Sequence, residues 1–239
     1  MSQIIIENVC KKYKKVEALK NVSLSVKQGE LFGLLGINGA GKTTLIKILC
    51  GLTKKTSGNV LIDGFNLDSN VDEIKKIIDI SPQDTSVALN LTVKENLEFF
   101  ANVYDCENED VVQEVIKTFK LEEVLNKKAK TLSGGFKRRL SIAVALISKP
   151  KILFLDEPTL GLDVIARREL WNVILKLKGK ITIILTSHYL EEIENLCDRV
   201  AILSKGEVLS EGTVGEIMKK AKTKTFEDAF VKIVEAGNE

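Results

Sequence analysis

The sequence predicts an α/β fold in which a parallel β-sheet with crossover helices is joined to an antiparallel β layer and an inserted helical subdomain. Three patterns support this prediction. Short apolar runs alternate with polar turns near the N-terminus, helical periodicity fills the middle of the chain, and apolar strands alternate with helical stretches after it. A chain of 239 residues is long enough for a single domain, 1–239, with subdomains.

Composition argues against several classes of protein. Lys and Arg number 35 against 33 Asp and Glu, a formal net charge of +2, so nucleic acid is not an expected partner. The apolar runs are short and interrupted, well below the roughly 18 residues that cross a bilayer, and the polar N-terminus lacks the apolar region of a signal peptide. We therefore expect the chain itself to be soluble.

The cysteines carry no metal-binding spacing. Cys10, Cys50, Cys106 and Cys197 are scattered without a CxxC pair, and the chain has only one histidine. We expect buried thiols in a reducing compartment, which favours a cytoplasmic location.

The first element is a set of strands. Within residues 3–35, the apolar runs 4–6, 24–26 and 31–35 are separated by polar turns. This pattern predicts strands of an antiparallel layer that leads into the next motif.

That motif is Gly36-Ile37-Asn38-Gly39-Ala40-Gly41-Lys42-Thr43-Thr44, which lies between the apolar run 31–35 and a predicted helix at 45–49. A glycine-rich loop between strand and helix is typical of a phosphate-binding loop, whose backbone N–H groups and helix N-terminus face the anion. Lys42 would reach the β and γ phosphates, and Thr43 would give its hydroxyl to Mg²⁺. The alternative, a tight glycine turn, needs neither residue. The loop predicts a P-loop NTPase core.

Tyr13 has two interpretations. It lies in the basic run 11–15, and its ring could stack on the adenine of a nucleotide. Equally, the run could be a solvated basic hairpin in which the tyrosine only packs.

The middle of the chain turns helical after two further strands. Gly51 is a plausible C′ residue of the first helix, residues 60–63 and 77–81 read as strands, and Pro82-Gln83 leaves regular structure. Thr92 and Glu95 form a capping box, followed by Val93, Leu97, Phe100 and Tyr104 on one helix face. Helical periodicity continues to about residue 148, which predicts a helical subdomain at about 84–148.

A second anion site is predicted inside this helical region. Ser133-Gly134-Gly135 precedes a helix that is apolar nearly all round, so a serine and two glycines stand at a helix N-terminus. One chain does not need two such sites. If two copies face each other, the second site of one chain could clamp the γ phosphate held by the other.

Polar residues follow the last strands. The apolar run 152–155 ends in Asp156 and Glu157, to which we assign Mg²⁺ binding and activation of the attacking water. The alternative is a carboxylate pair that caps the strand and meets lysines. His188 follows the apolar strand 181–185, so it should reach the same sheet edge and a γ phosphate or the water, although a lone histidine is more often structural.

Together these motifs resemble the ATPase subunit of an ATP-binding cassette (ABC) transporter over nearly the whole chain. The resemblance implies ATP and Mg²⁺ as ligands and a catalytic set of Glu157, His188 and Lys42. It makes Gly36 to Thr44 the Walker A loop, Ser133-Gly134-Gly135 the signature, Asp156-Glu157 the Walker B end, Gly161-Leu162-Asp163 the D-loop and His188 the switch histidine. It further implies that Tyr13 stacks on adenine, that nucleotide contacts include Gly36, Asn38, Gly39, Ala40, Gly41, Lys42, Thr43 and Thr44, and that Thr43, Gln83 and Asp156 serve the metal.

The signature departs from the family pattern in one place. Phe136 stands where Gln is usual and is followed by Lys137-Arg138-Arg139, which resembles the ABC-2 type exporter branch. The tail at 225–230 resembles the C-terminal helix of that branch.

The resemblance also implies partners. Two ATPase subunits, as a homodimer or a heterodimer, would close over ATP, and the surface around residues 83–91 would contact a separate integral-membrane permease on the cytoplasmic face of the membrane. The alternatives left open are a soluble cassette ATPase that serves an assembly process and a nucleotide-binding regulator without turnover.

Overall fold

Two β-sheets form the framework of the chain, described in a computed structural model over residues 2–105 and 109–237. The first sheet is antiparallel, and its strands lie in the order β2-β1-β4-β5. They are β1 (Ser2–Tyr13), β2 (Val16–Lys27), β4 (Ser57–Ile62) and β5 (Phe65–Asn66). This sheet confirms the predicted antiparallel layer.

The second sheet is parallel except at one edge. Its order is β10-β9-β3-β8-β7-β6, and β10 pairs antiparallel with β9. The strands are β3 (Leu31–Leu35), β6 (Ile78–Ser81), β7 (Ile152–Asp156), β8 (Thr182–Ser187), β9 (Arg199–Ser204) and β10 (Glu207–Gly212).

The assignment of residues 31–35 to the antiparallel layer was wrong. β3 pairs in parallel with both β8 and β9, in the middle of the second sheet. All five of its residues are buried, as expected for a strand covered on both faces. This burial explains why the run 31–35 contains no polar residue.

Alternate residues of the central strands face two different cores. Leu31 and Leu35 pack into a core formed with the helices from residue 93 onward, whereas Phe32 and Leu34 pack into a core shared with the antiparallel sheet. In β7, Leu153 follows the first arrangement and Phe154 the second. The parallel sheet is thus held between the two layers.

The helices follow the predicted order. They are α1 (Lys42–Leu49), α2 (Val71–Lys75), α3 (Val93–Val103), α4 (Glu109–Phe119), α5 (Gly134–Ile147), α6 (Val164–Leu177), α7 (Leu190–Leu196), α8 (Val214–Ala221) and α9 (Phe226–Ala236), with 3₁₀ turns at Glu122–Val124 and Ala129–Thr131. Gly51, with φ +67°, follows the cap of α1 as predicted.

The predicted start of α3 is confirmed, but one of its predicted apolar positions is wrong. Thr92 accepts from the Glu95 amide while the Glu95 carboxylate accepts from the Thr92 amide, which completes the capping box. Val93 and Leu97 are buried, but Tyr104 is 41% exposed. The Tyr104 hydroxyl instead donates to Asp79 Oδ2 at 2.9 Å, because a phenol can satisfy its polar end only at a surface or with a partner.

Two further expectations concern membrane crossing and cysteines. In the part of the chain that is described, no helix combines the length and apolar character needed to span a bilayer. Cys50 is buried as predicted, whereas Cys10 and Cys197 are only half-buried, and Cys106 lies outside the described residues.

The strand order brings three predicted motifs to one edge. β3, β8 and β7 are neighbours, and in parallel strands the carboxyl ends meet at the same side of the sheet. The loop after β3, the carboxylates after β7 and the histidine after β8 therefore lie together.

Candidate active site

The loop between β3 and α1 is built around glycines that no other residue can replace. A Cβ on Gly36 would lie 2.4 Å from the Leu203 carbonyl oxygen. Gly41, with φ +107°, would place a Cβ 2.8 Å from the Ala18 carbonyl oxygen. Gly41 also precedes α1 without a side-chain cap, so the first amides of the helix remain available to an anion.

Lys42 is buried at the start of α1 and points back across this loop. Its Nζ donates to the Gly36 carbonyl oxygen at 2.6 Å and to that of Ile37 at 3.4 Å. It also lies 3.3 Å from Glu157 Oε1, so the loop and the end of β7 share one ammonium group.

Thr43 and Asp156 meet at the floor of the site. Thr43 Oγ1 donates to Asp156 Oδ1 at 3.3 Å, and Asp156 is buried at the end of β7. The same carboxylate oxygen accepts from Thr186 Oγ1 at 2.6 Å. Thr186 in turn accepts from the Glu157 amide at 2.9 Å, so one hydroxyl on β8 orients both acidic residues.

Glu157 has a backbone conformation that few residues other than glycine adopt. Its φ is +49°, in the left-handed region, which costs a residue with a Cβ on the order of 1–2 kcal/mol. The turn directs its buried carboxylate between Lys42 and His188, whose Nδ1 lies 2.8 Å from Glu157 Oε2. Such strain persists only where neighbouring contacts hold it, and here they aim the carboxylate into the site.

Most of this loop, together with Glu157 and His188, lines a cavity of about 650 Å³, a size suited to a small-molecule ligand, whereas Gly36 and Asp156 do not line it. Sequence-predicted members of the lining are Asn38, Gly39, Ala40, Gly41, Lys42, Thr43, Thr44, Gln83, Glu157 and His188. Further lining residues come from outside those motifs, namely Val16, Glu17, Ala18, Lys20, Leu160 and Lys205. The hairpin residues 16–20 carry no motif, and only the packing of the antiparallel sheet against the loop brings them here.

Tyr13 is not among the residues that line the cavity. It ends β1 with 43% of its surface exposed, and the Lys11 ammonium lies 4.5 Å from its ring centroid. This arrangement matches the alternative of a basic hairpin with a packed tyrosine, and adenine stacking by Tyr13 stays a prediction.

The second predicted anion site is separate from the cavity. Ser133 caps α5 by accepting from the Phe136 amide, and the following glycines lie against the turn that precedes α6. A Cβ on Gly134 would be 3.6 Å from Leu162, and one on Gly135 would be 3.0 Å from Ala166. Within one chain, Ser133, Gly134 and Gly135 do not join the loop at Lys42.

Sequence reasoning missed two polar residues that hold the site together. Thr186 was passed over as part of the connection between the predicted strand 181–185 and His188, although its position next to Ser187 and His188 was a usable signal. Arg138 was noted only as part of a basic run, yet it is buried and donates to backbone carbonyls of the site.

The family described as "ABC transporter" matches residues 19–160. A second description, "AAA domain, putative AbiEii toxin, Type IV TA system", matches residues 128–194.

Two curated bacterial proteins are similar along most of the chain. The linearmycin resistance ATP-binding protein LnrL of Bacillus subtilis is 39% identical over 90% of this chain and 70% of its own length. The probable multidrug ABC transporter ATP-binding protein YbhF of Escherichia coli is 36% identical over 95% of this chain, which spans only 41% of that relative.

Solved structures share the fold. The ATP-binding subunit of an ABC transporter superposes with a TM-score of 0.86 at 28% identity, covering 97% of this chain and 99% of that one. The dimeric post-hydrolysis cassette MJ0796 bound to ADP and Pi gives a TM-score of 0.77 at 30% identity, covering 88% and 98%.

Proposed function

Because the chain belongs to the ABC transporter family, as an ATP-binding cassette with the P-loop ATPase fold, we propose that two chains share each ATP and that its hydrolysis drives substrate movement through a separate membrane subunit. One observation carries the catalytic part of this proposal. Glu157, which follows β7, contacts both Lys42 at the N-terminus of α1 and His188, which follows β8.

In this site the nucleotide competes with the protein for Lys42. A β or γ phosphate is a stronger partner for the ammonium than the neutral carbonyls of Gly36 and Ile37, and it also competes with Glu157. Binding of ATP would thus draw Lys42 toward the phosphates and leave Glu157 with His188. Glu157 would then be free to accept a proton from the attacking water.

An oxygen atom of Thr43, which lines the cavity, and one of Asp156 next to it fit a magnesium ion. Thr43 Oγ1 and Asp156 Oδ1 lie 3.3 Å apart, and both are the hard donors that Mg²⁺ prefers. Among the described residues no cluster of three or more His, Cys, Asp or Glu could hold a metal, which matches an ion that takes most of its ligands from phosphates and water. Bound there, Mg²⁺ would neutralise charge on the β and γ phosphates.

The surroundings of the cavity suit a second copy of the chain. Exposed apolar side chains stand on the loop, on the cavity wall and at the start of α6, where Ile165 is 73% exposed. They are Ile37, Leu160, Val164 and Ile165. Ser133 to Gly135 do not line the cavity of their own chain, so a partner's ATP is the phosphate ligand we assign to them. The dimeric form of the similar cassette MJ0796 supports this assignment.

Mixing two inactive variants tests the shared site. Lys42→Ala damages the phosphate loop and Ser133→Arg blocks the signature, so each variant alone should lose nearly all ATP hydrolysis. In a mixed dimer one site combines the intact loop of one chain with the intact signature of the other, and up to half of the chains can pair in this way. Activity should therefore reappear on mixing.

Either of two results would contradict the shared site. One is a mixture as inactive as its components, although gel filtration shows that mixed dimers form. The other is full turnover by Ser133→Arg alone. A mixture of two differently tagged Lys42→Ala chains is the control, because no combination of them restores a loop.

We further propose that the transported substrate leaves the cell through a membrane permease. LnrL is named for linearmycin resistance and YbhF as the ATP-binding protein of a probable multidrug ABC transporter, and both match most of this chain. We assign permease contact to the exposed segment 83–91, where Leu89 is half exposed. The chain would then act on the cytoplasmic face of the membrane, as a homodimer or with a related cassette.

A further inference from the structure

Arg138 is a buried charged residue to which the proposed catalytic set gives no role. It lies on α5, about one turn after the signature cap Ser133, and is 5% exposed. A buried guanidinium is costly unless its N–H groups are all directed at acceptors. The acceptors of its N–H groups therefore indicate which segments Arg138 holds in place.

Arg138 divides its donors between two segments that are distant in sequence. Nε donates to the Pro158 carbonyl at 2.8 Å and Nη2 to the Asp156 carbonyl at 2.7 Å. Nη1 donates to the carbonyls of Pro82 and Gln83, the latter at 3.2 Å. One planar group thus joins the turn after β7 to the segment after β6.

The acidic residues around Arg138 favour its charged form, although burial disfavours it. Burial lowers the pKa of Arg138 to about 10, while Asp156, Glu192 and Glu157 act in the opposite direction. At neutral pH the guanidinium stays protonated, so its N–H groups remain available as donors. Ser141, on the same helix, meets Ser81 Oγ at 3.0 Å and secures α5 to the end of β6.

We propose that Arg138 is a positioning residue for ATP hydrolysis, which fixes the backbone of Gln83 and of Asp156 relative to each other. We assign Asp156 to Mg²⁺, and the family resemblance implies the same role for Gln83, so the inference rests on the proposed function. The planar guanidinium carries five donors in a fixed fork, whereas a lysine ammonium is a point charge with three. Lysine cannot serve both segments at once, and substitution should loosen the Gln83 segment against β7.

The first test measures the backbone without nucleotide or metal. Hydrogen–deuterium exchange in EDTA should be several-fold faster at residues 82–91 in Arg138→Lys and Arg138→Gln than in the wild type. Arg139→Gln is the matched control, because Arg139 is the next buried arginine of α5 but pairs with Glu169 on α6. It should lower the melting temperature without changing exchange at 82–91.

The second test is kinetic. In both Arg138 variants kcat should fall by about ten- to a hundredfold, as small misplacements of catalytic groups do. The KM for ATP should stay within about twofold, and the Mg²⁺ concentration for half-maximal turnover should rise. If Arg138→Gln fails to fold, the kinetics and the hydrogen–deuterium exchange of Arg138→Lys test the proposal instead.

The proposal is overturned if Arg138→Lys keeps wild-type exchange and kcat, or if Arg139→Gln reproduces both changes. Glu157→Gln is assayed in parallel. If Glu157→Gln loses turnover while the Arg138 variants keep it, only the role of Arg138 is wrong. If Glu157→Gln keeps full turnover, the proposed catalytic set itself is wrong.

Discussion

Thr186 illustrates, at the scale of single residues, how one hydroxyl can prepare two acids for different tasks. It donates to Asp156 and accepts from the Glu157 amide, so the carboxylate assigned to the metal and the backbone of the proposed base share one support. The two acids themselves were predictable, because burying two carboxylates at the end of a strand costs free energy unless a bound ion or a catalytic role accounts for them. Thr186 was not, since threonine is also an ordinary strand residue.

Glu192 provides a residue-scale prediction about pH. Burial raises the pKa of this carboxyl above its ordinary value of 4.5, and Oε1 accepts from the Trp171 indole N–H at 3.1 Å. The folded state therefore binds more protons than the unfolded one. This contribution to stability is present below the unfolded pKa and is lost as pH rises through the folded pKa.

Replacing Glu192 with Gln should remove that loss, because an amide does not titrate but still accepts from Trp171. Thermal unfolding between about pH 5 and pH 8 should show the wild type losing stability relative to Glu192→Gln as pH rises. Trp171 is the only tryptophan, so its fluorescence follows the same site. The exposed neighbour Glu191→Gln is the control. Parallel curves for wild type and Glu192→Gln would contradict the prediction.

Among the elements, the presence of helices was predictable, whereas the sheet to which each strand belongs was not. The capping box located the start of α3 at Thr92, because helix termini are signalled by local residues. The placement of β3 between β8 and β9 depends on partners far away in sequence. An apolar run shows that a strand is buried but not which sheet it joins.

The capping box of α3 gives a prediction at this scale. Thr92→Ala should lower the free energy of unfolding by about 0.5–2 kcal/mol, since one amide of the first turn loses its acceptor. Urea denaturation measures the change. Thr85→Ala, in the exposed segment before α3, should be close to neutral. Equal effects of the two substitutions would show that the cap does not stabilise the helix.

For the whole molecule, the sequence identified the parts of the candidate site better than their spatial relation. The loop, the two acids and His188 were expected together, and the strand order confirms it. Arg138 could not be recognised, because its partners are backbone carbonyls that carry no residue signal. The second anion site at Ser133 makes sense only beyond a single chain, where a partner supplies the phosphate.

The most direct test of shared ATP and of Glu157 as the base is Glu157→Gln. The amide cannot accept the proton of the attacking water, so hydrolysis should fall by about 10²- to 10⁴-fold. Lys42 and Ser133 are unchanged, so ATP should still close two chains into a dimer, now long-lived. Phosphate release and gel filtration with ATP measure both properties on one preparation. We predict a stable ATP-dependent dimer without turnover, and wild-type turnover or a chain that stays monomeric with ATP would contradict the account.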